Sequence, residues 1–277
     1  MKNLLKKCDH LSPAFFHVGG NFLDLVPGAS VSGIPKTTRQ VVRPKRLTPG
    51  TDYAIIKDKA YLKAVKLTSE PKASAIGGFH VGLDGVIVNA SIWDQLFRPR
   101  CPDPRGMVFA GKYGWIDIYL LNTDPGKHGT SAAGVEIADG WSNIILPDGK
   151  GRALNFWVAT HALSLHGKQL LSCEEFTAVM QGVEEGKTCG DDPKKTGHVR
   201  GLKSAIGIEQ ATGCMYVWSR DIKDLDVPWI FLMSGAWTSD AAGPRRFDYN
   251  HPGSDYYAVG ARGRCDHLFP DRSEAKA

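Results

Sequence analysis

The sequence predicts an α+β fold of short strands and long loops with two helices, on three observations. A chain of 277 residues with 42% apolar content is long enough to bury a sizeable core. Its apolar residues come in brief β-type runs from Asp52 onward. Only two segments pair helical apolar spacing with recognisable helix ends.

Residues 1–50 are rich in Gly, Pro and basic residues, interrupted by short apolar pieces at 14–18 and 22–26. They read as an N-terminal arm or attachment segment without a core of its own. The basic cluster Lys36, Arg39, Arg43, Lys45 and Arg46 lies there and reads as a solvated linker. From residue 51 the pattern changes, with strands expected at 53–56, 64–67 and 78–82, then at 115–121 and 134–137. This places a folded domain over 51–272 and a tail at 273–277. The first helix is expected over 155–165, with Phe156, Ala159 and Leu163 near one face and Gly167 as a left-handed stop. The second begins at Cys173, with Ser172 as N-cap and Glu175 closing a capping box, and runs through Phe176, Val179 and Met180 to Gly182. Strands are expected again at 215–219, 230–233 and 257–261.

Composition removes several function classes. The formal net charge is +5, but the basic residues are scattered and form no stripe with interleaved aromatics, so nucleic acid is not an expected partner. The best apolar runs, such as 229–233, are too short for membrane insertion, and MKNLLKKCDH lacks the apolar run and cleavage site of a signal peptide. Synthesis in the cytoplasm follows. Cys8, Cys101, Cys173, Cys189, Cys214 and Cys265 show no CxxC spacing, which makes free thiols the default. A nucleophile elbow, a His-Glu-x-x-His pair and a Walker loop are absent. His161 and His166 fall on different helix faces. Asp103, Asp191 and Asp192 lack calcium-loop spacing and read as turn formers beside Pro104 and Pro193. No cofactor is expected, no metal site is assigned, and the repeated Cys-Asp-His-Leu at 8–11 and 265–268 reads as chance.

The stretch 236–258 has a different chemistry. Phe247, Tyr249, Tyr256 and Tyr257 offer large rigid contact areas among Ser, Thr, Asn and Asp, the mixture that recognition loops use. Composition alone leaves open a turn-rich loop whose tyrosines cover the core.

Five segments stand in one order: GKQLLSCEEFTAVMQG (167–182), GIEQATGCMYVWSRD (207–221), SGAW (234–237), Arg246, and GARGRCDHL (260–268). Together they resemble the C-type-lectin fold shared by formylglycine-generating enzymes and the variable proteins of diversity-generating retroelements, phage tropism-determining proteins among them. The resemblance covers 52–268 and leaves the first 50 residues unmatched. It implies a receptor-binding protein of a phage or prophage tail, with a diversified surface within about 229–268. The implied contact positions are Ala236, Thr238, Asp240, Ala242, Phe247, Tyr249, Asn250, Ser254, Tyr256 and Ala258. The implied scaffold is Trp237, Gly243, Arg246, Gly260, Arg262 and Cys265. It further implies a homotrimer in the virion tail and a protein or glycan receptor on a cell surface. Two departures from the resemblance stand out: Ser234-Gly235-Ala236-Trp237 stands where the family often has Gly-Gly-x-Trp, and the spacing from Arg246 to Pro252 is about two residues shorter than in the phage tropism-determining proteins.

The same resemblance supplies the alternatives. A formylglycine-generating oxidoreductase acts through a cysteine pair in this C-terminal region with a bound metal, and here only Cys265 falls in it. A cellular retroelement variable protein of unknown ligand is the third reading.

Overall fold

The structure is a computed structural model. It describes residues 4–7, 9–20, 22–37, 40–224 and 226–269. Two compact units result: Met1–Arg105 with Asp266–Ala277, and Gly106–Cys265. Arg39, Cys8, the first of the Cys-Asp-His-Leu repeats and the tail lie wholly or partly outside the described residues.

The first unit contains β1 (Leu5–Lys6), β2 (Phe15–Gly19), β3 (Phe22–Leu25), β4 (Ser30–Val31), β5 (Val41–Val42), β6 (Thr51–Asp58), β7 (Tyr61–Lys66), β8 (Ala75–Val81) and β9 (Trp93–Asp94). Strands β5-β7-β6-β8-β9 form one sheet, and β1 with β4 and β2 with β3 form two small ladders. The three strands expected after residue 51 are β6, β7 and β8. The separate arm is corrected. Leu5, Phe15, Leu23, Leu25, Val31, Val41 and Leu47 are buried in one cluster with Tyr53, Ile55, Leu62 and Phe79. Each N-terminal apolar piece is too short to make a core alone, and together they cover the sheet face that β6 to β8 leave open. The expected boundary at 50/51 therefore cuts through this core, and the basic stretch is no linker. Strand β5 pairs parallel with β7, and the Arg43 guanidinium sits 4.4 Å from the Phe22 ring.

The second unit runs β10 (Met107–Phe109), β11 (Trp115–Asp117), α1 (Pro125–His128), β12 (Asn143–Ile145), β13 (Gly151–Ala153), α2 (Phe156–Ser164), β14 (Gln169–Leu170), α3 (Cys173–Val179), β15 (Tyr216–Ile222), β16 (Ile230–Met233), β17 (Phe247–Asn250), β18 (Val259–Gly260) and β19 (Gly263–Cys265). Its sheets are β10-β11-β19-β14 and β17-β16-β15-β18, with β12 and β13 as a hairpin. Helix α2 buries Ala159, Ala162 and Leu163 against Trp218, Ile230, Leu232 and Val259. At α3 the Ser172 hydroxyl accepts the Glu175 N–H, and the Glu175 carboxylate accepts the Ser172 N–H, the capping box the sequence spells. The one-turn α1 was not expected; Asp124 caps it and Pro125 opens it. The expected strand at 134–137 is reduced to two isolated bridges, Asn122 to Ile137 and Glu136 to Lys195, and 115–121 keeps strand pairing only over Trp115–Asp117.

The default of free thiols is also corrected. Cys189 and Cys214 form a disulfide with Cα atoms 5.1 Å apart, a closeness that a 25-residue separation without a motif does not announce. The turn readings hold: the Asp103 carboxylate accepts from the Arg105 backbone and guanidinium, and Asp192 accepts the Lys194 N–H.

Candidate functional site

The base of the site is built by the closing segment 260–265. Arg262 is fully buried, and its guanidinium donates to the carbonyls of Asp117, Ile118, Glu209 and Gln210 at 2.6–3.2 Å. Burial pushes it down to about 10, against the pull of the Asp117 and Glu209 carboxylates. It therefore remains charged at neutral pH. Gly263 is required because a Cβ there would stand 2.5 Å from Asp117 Oδ2. That carboxylate is held by Lys168 at 2.6 Å and by the Thr130 hydroxyl at 2.9 Å. Arg264 and Arg220 both reach Glu175, at 3.2 and 3.0 Å. Cys265 is buried opposite Trp115.

On this base a loop over 234–246 is closed at its neck. The Ser234 N–H donates to Arg246 O at 2.9 Å, and the Gly243 N–H donates to Ser234 O at 2.9 Å. Ser234 has φ +94°, in the left-handed region that favours glycine. Its hydroxyl accepts the Gly213 N–H at 2.8 Å and donates to Gly235 O at 2.7 Å. The Trp237 N–H reaches Cys214 O, and the Gly186 N–H reaches Ala242 O, so the disulfide-linked segments form the loop's floor.

Strand β17 leaves this neck as the edge of its sheet. The alternation of the pleat puts Phe231, Met233, Phe247 and Tyr249 on the face opposite Ile230 and Leu232. Phe247 is 62% exposed and stands edge-on to Phe231 at 5.9 Å, while Tyr249 meets Trp229 at 5.6 Å and carries the Lys223 ammonium over its ring. The edge itself is guarded: the Tyr249 N–H is taken by the Asp248 carboxylate and the His251 N–H by Asn250 Oδ1. A second aromatic group surrounds Tyr257, with Trp141 at 4.4 Å, Tyr256 at 4.6 Å and Trp237 at 5.8 Å. The Tyr256 phenol is raised above its usual value, first by its hydrogen bond with Tyr257 and then by burial.

Of the ten expected contact positions, Thr238, Asp240, Phe247, Tyr249 and Tyr256 are exposed, and Asn250 and Ser254 are half-buried. Ala236, Ala242 and Ala258 are corrected. Each is at most 4% exposed, and a methyl group packed in this way offers no surface to a partner. Among the scaffold positions, Gly243, Gly260, Arg262 and Cys265 are buried and Trp237 is half-buried. Arg246 holds the neck through its backbone while its side chain is exposed. Within 236–258 the residues Phe247–Asn250 form strand β17, so the stretch is not loop throughout.

Trp141 was not foreseen. It is 73% exposed on a turn fixed by the Asp139 carboxylate, which accepts the Trp141 and Ser142 N–H groups at 2.7 and 2.6 Å. Gly140 lets this turn press on the segment around Asp255, since a Cβ there would fall 2.2 Å from the Asp255 carbonyl carbon. Among the described residues, no group of three or more His, Cys, Asp or Glu side chains is placed to hold a metal ion, and no helix is long and apolar enough to cross a membrane.

This arrangement is an open, rigidly footed surface of aromatics and short polar residues. No family model matches the chain. Over 97% of its length the chain is 30% identical to the tail fiber receptor-binding protein of Bordetella phage BPP-1, of which it covers 86%. It belongs to the family of phage tail-fiber receptor-binding proteins. Solved structures of major tropism determinant variants agree: the I1 variant superposes with a TM-score of 0.88 at 28% identity, and the U1 variant with 0.87 at 28%, each over 97% of this chain and 87% of the other. The C-type-lectin-like fold of these receptor-binding proteins is thus the fold of this chain. At 97% coverage the likeness also takes in most of the first 50 residues, which the resemblance in sequence leaves unmatched. The BPP-1 relative is a receptor-binding protein of a tail fiber.

Proposed function

We propose that this protein acts on a phage tail as a non-enzymatic receptor-binding protein. Its contact surface is Thr238, Asp240, Phe247, Tyr249, Asn250, Ser254 and Tyr256, joined by Trp141, Trp229 and Phe231. The observation that carries this reading is the exposure of Phe247, Tyr249 and Tyr256 on a segment footed by the buried Arg262 network. Large aromatics held exposed on a rigid base lose little entropy on binding, which is what contact residues require. The receptor is a protein or glycan of a cell surface, the assembly is a homotrimer, and the unit containing residues 1–50 serves attachment to the particle. This surface suits retroelement diversification, because exposed side chains can change without disturbing the core.

The test is to sequence the gene and its flanks from many isolates and to measure binding of labelled protein to a panel of bacterial cells. Substitutions should concentrate at the seven exposed or half-exposed positions and trace to adenines of a template repeat. Phe247→Ala and Tyr249→Ala should weaken cell binding by about tenfold or more. Uniform variation, with cell binding indifferent to both variants, refutes the proposal.

A further inference from the structure

Helix α2 presents an outward stripe that its place on the surface does not explain. Ala159, Ala162 and Leu163 face the core, yet the opposite side carries Trp157, His161 and Leu165 at i, i+4 and i+8, where a surface helix is ordinarily polar. Trp157 is 59% and Leu165 47% exposed. The stripe walls a groove of about 450 Å³ together with Leu146, Pro147, Asp148 and Arg152, within the size range of small-molecule sites. Asp148 and Arg152 form a bidentate pair at 2.6 and 3.1 Å, and the Lys150 N–H fixes the same carboxylate at 3.0 Å. All of these residues lie outside the segment assigned to the receptor.

We propose that this groove is a second binding site, and that it takes a neutral hexopyranoside unit of a cell-surface polysaccharide. A pyranose ring has an apolar C–H face and an equator of hydroxyls. The negative face of the Trp157 indole accepts the C–H face. The Asp148 carboxylate accepts from one hydroxyl and the Arg152 guanidinium donates to its neighbour, a division of roles that a fixed fork performs well. His161 adds a polar atom from the helix side. The charges of the pair sum to zero, which favours a neutral sugar over an acidic one. A protein partner would have to strip water from both charges, whereas a sugar replaces that water with hydroxyls and leaves the pair intact.

The test titrates the full chain with the methyl glycosides of glucose, galactose, mannose and N-acetylglucosamine, followed by saturation-transfer NMR and tryptophan emission. At least one should saturate with a dissociation constant on the order of 1 mM, a single-site strength that display in several copies multiplies. Trp157→Ala and Asp148→Asn should each weaken it by about tenfold or more, and Trp157→Phe should retain part of it. Tyr249→Ala should leave it unchanged, so that this site and the receptor surface succeed or fail separately. The proposal is overturned if no glycoside saturates below about 50 mM, or if Trp157→Ala binds as the parent does. It is equally overturned if light scattering shows that Trp157→Ala only dissociates an oligomer, which would make the stripe an interface between copies of this chain.

Discussion

Ser234 offers a test of how the presenting loop is held, because two small substitutions there have opposite expectations from those at an ordinary site. Both Ser234→Ala and Ser234→Gly delete the hydroxyl that accepts the Gly213 N–H and donates to Gly235 O. Ser234 is 0% exposed, so water does not replace these bonds. An unsatisfied buried donor costs about 1–3 kcal/mol. The alanine variant keeps a Cβ at φ +94°, where the left-handed backbone costs a residue with a side chain about 1–2 kcal/mol. Glycine relieves that strain. Ser234→Ala should therefore lose about 2 kcal/mol and Ser234→Gly about 1 kcal/mol or less, so the glycine variant is the more stable by about 1 kcal/mol. At an unstrained position glycine would instead be the less stable by about 0.5–1 kcal/mol. Urea unfolding followed by tryptophan emission reads the relevant unit, since of the seven indoles only Trp93 lies outside Gly106–Cys265. An alanine variant equal to or more stable than the glycine variant refutes the claim that the loop neck is strained, and an alanine variant as stable as the parent refutes the claim that the hydroxyl holds it.

Three further outcomes are expected. Replacing Arg262 with Met strands four buried carbonyls and should lower stability by about 3 kcal/mol or more, seen as loss of soluble protein or a large drop in Tm. Cys189→Ala with Cys214→Ala should cost about 3.5 kcal/mol by chain-entropy reasoning on the 25-residue separation, and a variant pair that unfolds at the parent's urea midpoint would contradict it. The Cys173 thiol is pushed up to about 11, chiefly by burial. Its alkylation should rise with a midpoint near that pH, and at pH 8 it should run about a hundredfold slower than an unperturbed thiol. The sign for stability follows: folding favours the protonated thiol, so this contribution is whole below a thiol's ordinary range and is lost as pH rises through the folded value.

What the sequence disclosed was local. The capping box at Ser172 and Glu175 and the strands β6, β7, β8 and β16 each announce themselves within a few residues, and the structure places them there. What it withheld depends on distance along the chain. The first 50 residues look coreless because Phe15 and Leu23 find their partners on a sheet that has not yet begun. The Cys189–Cys214 bond has no motif to show it. Strand β17 did leave a signal, the aromatic-polar alternation Phe247-Asp248-Tyr249-Asn250, but four residues of period two vanish in a 23-residue stretch read as a whole. Trp141 left none, since its place beside Tyr257 is made by Gly140 pressing against a segment more than 100 residues away.

The buried alanines limit what the contact surface can become. Ala242 is wedged between two glycines: a Cβ added at Gly213 would lie 3.2 Å from the Ala242 Cβ, and one added at Gly235 would lie at the same distance. A larger side chain at Ala242 has to displace the floor that the disulfide and the Ser234 hydroxyl hold, and overpacking of this kind costs about 1–3 kcal/mol. Phe247 and Tyr249, whose rings stand largely in solvent, carry no such charge on the core. Tolerance to variation along 236–258 is therefore decided by burial rather than by position in the segment. A mechanism that mutates the whole stretch would see its products at Ala236, Ala242 and Ala258 filtered by folding before any receptor selects among them.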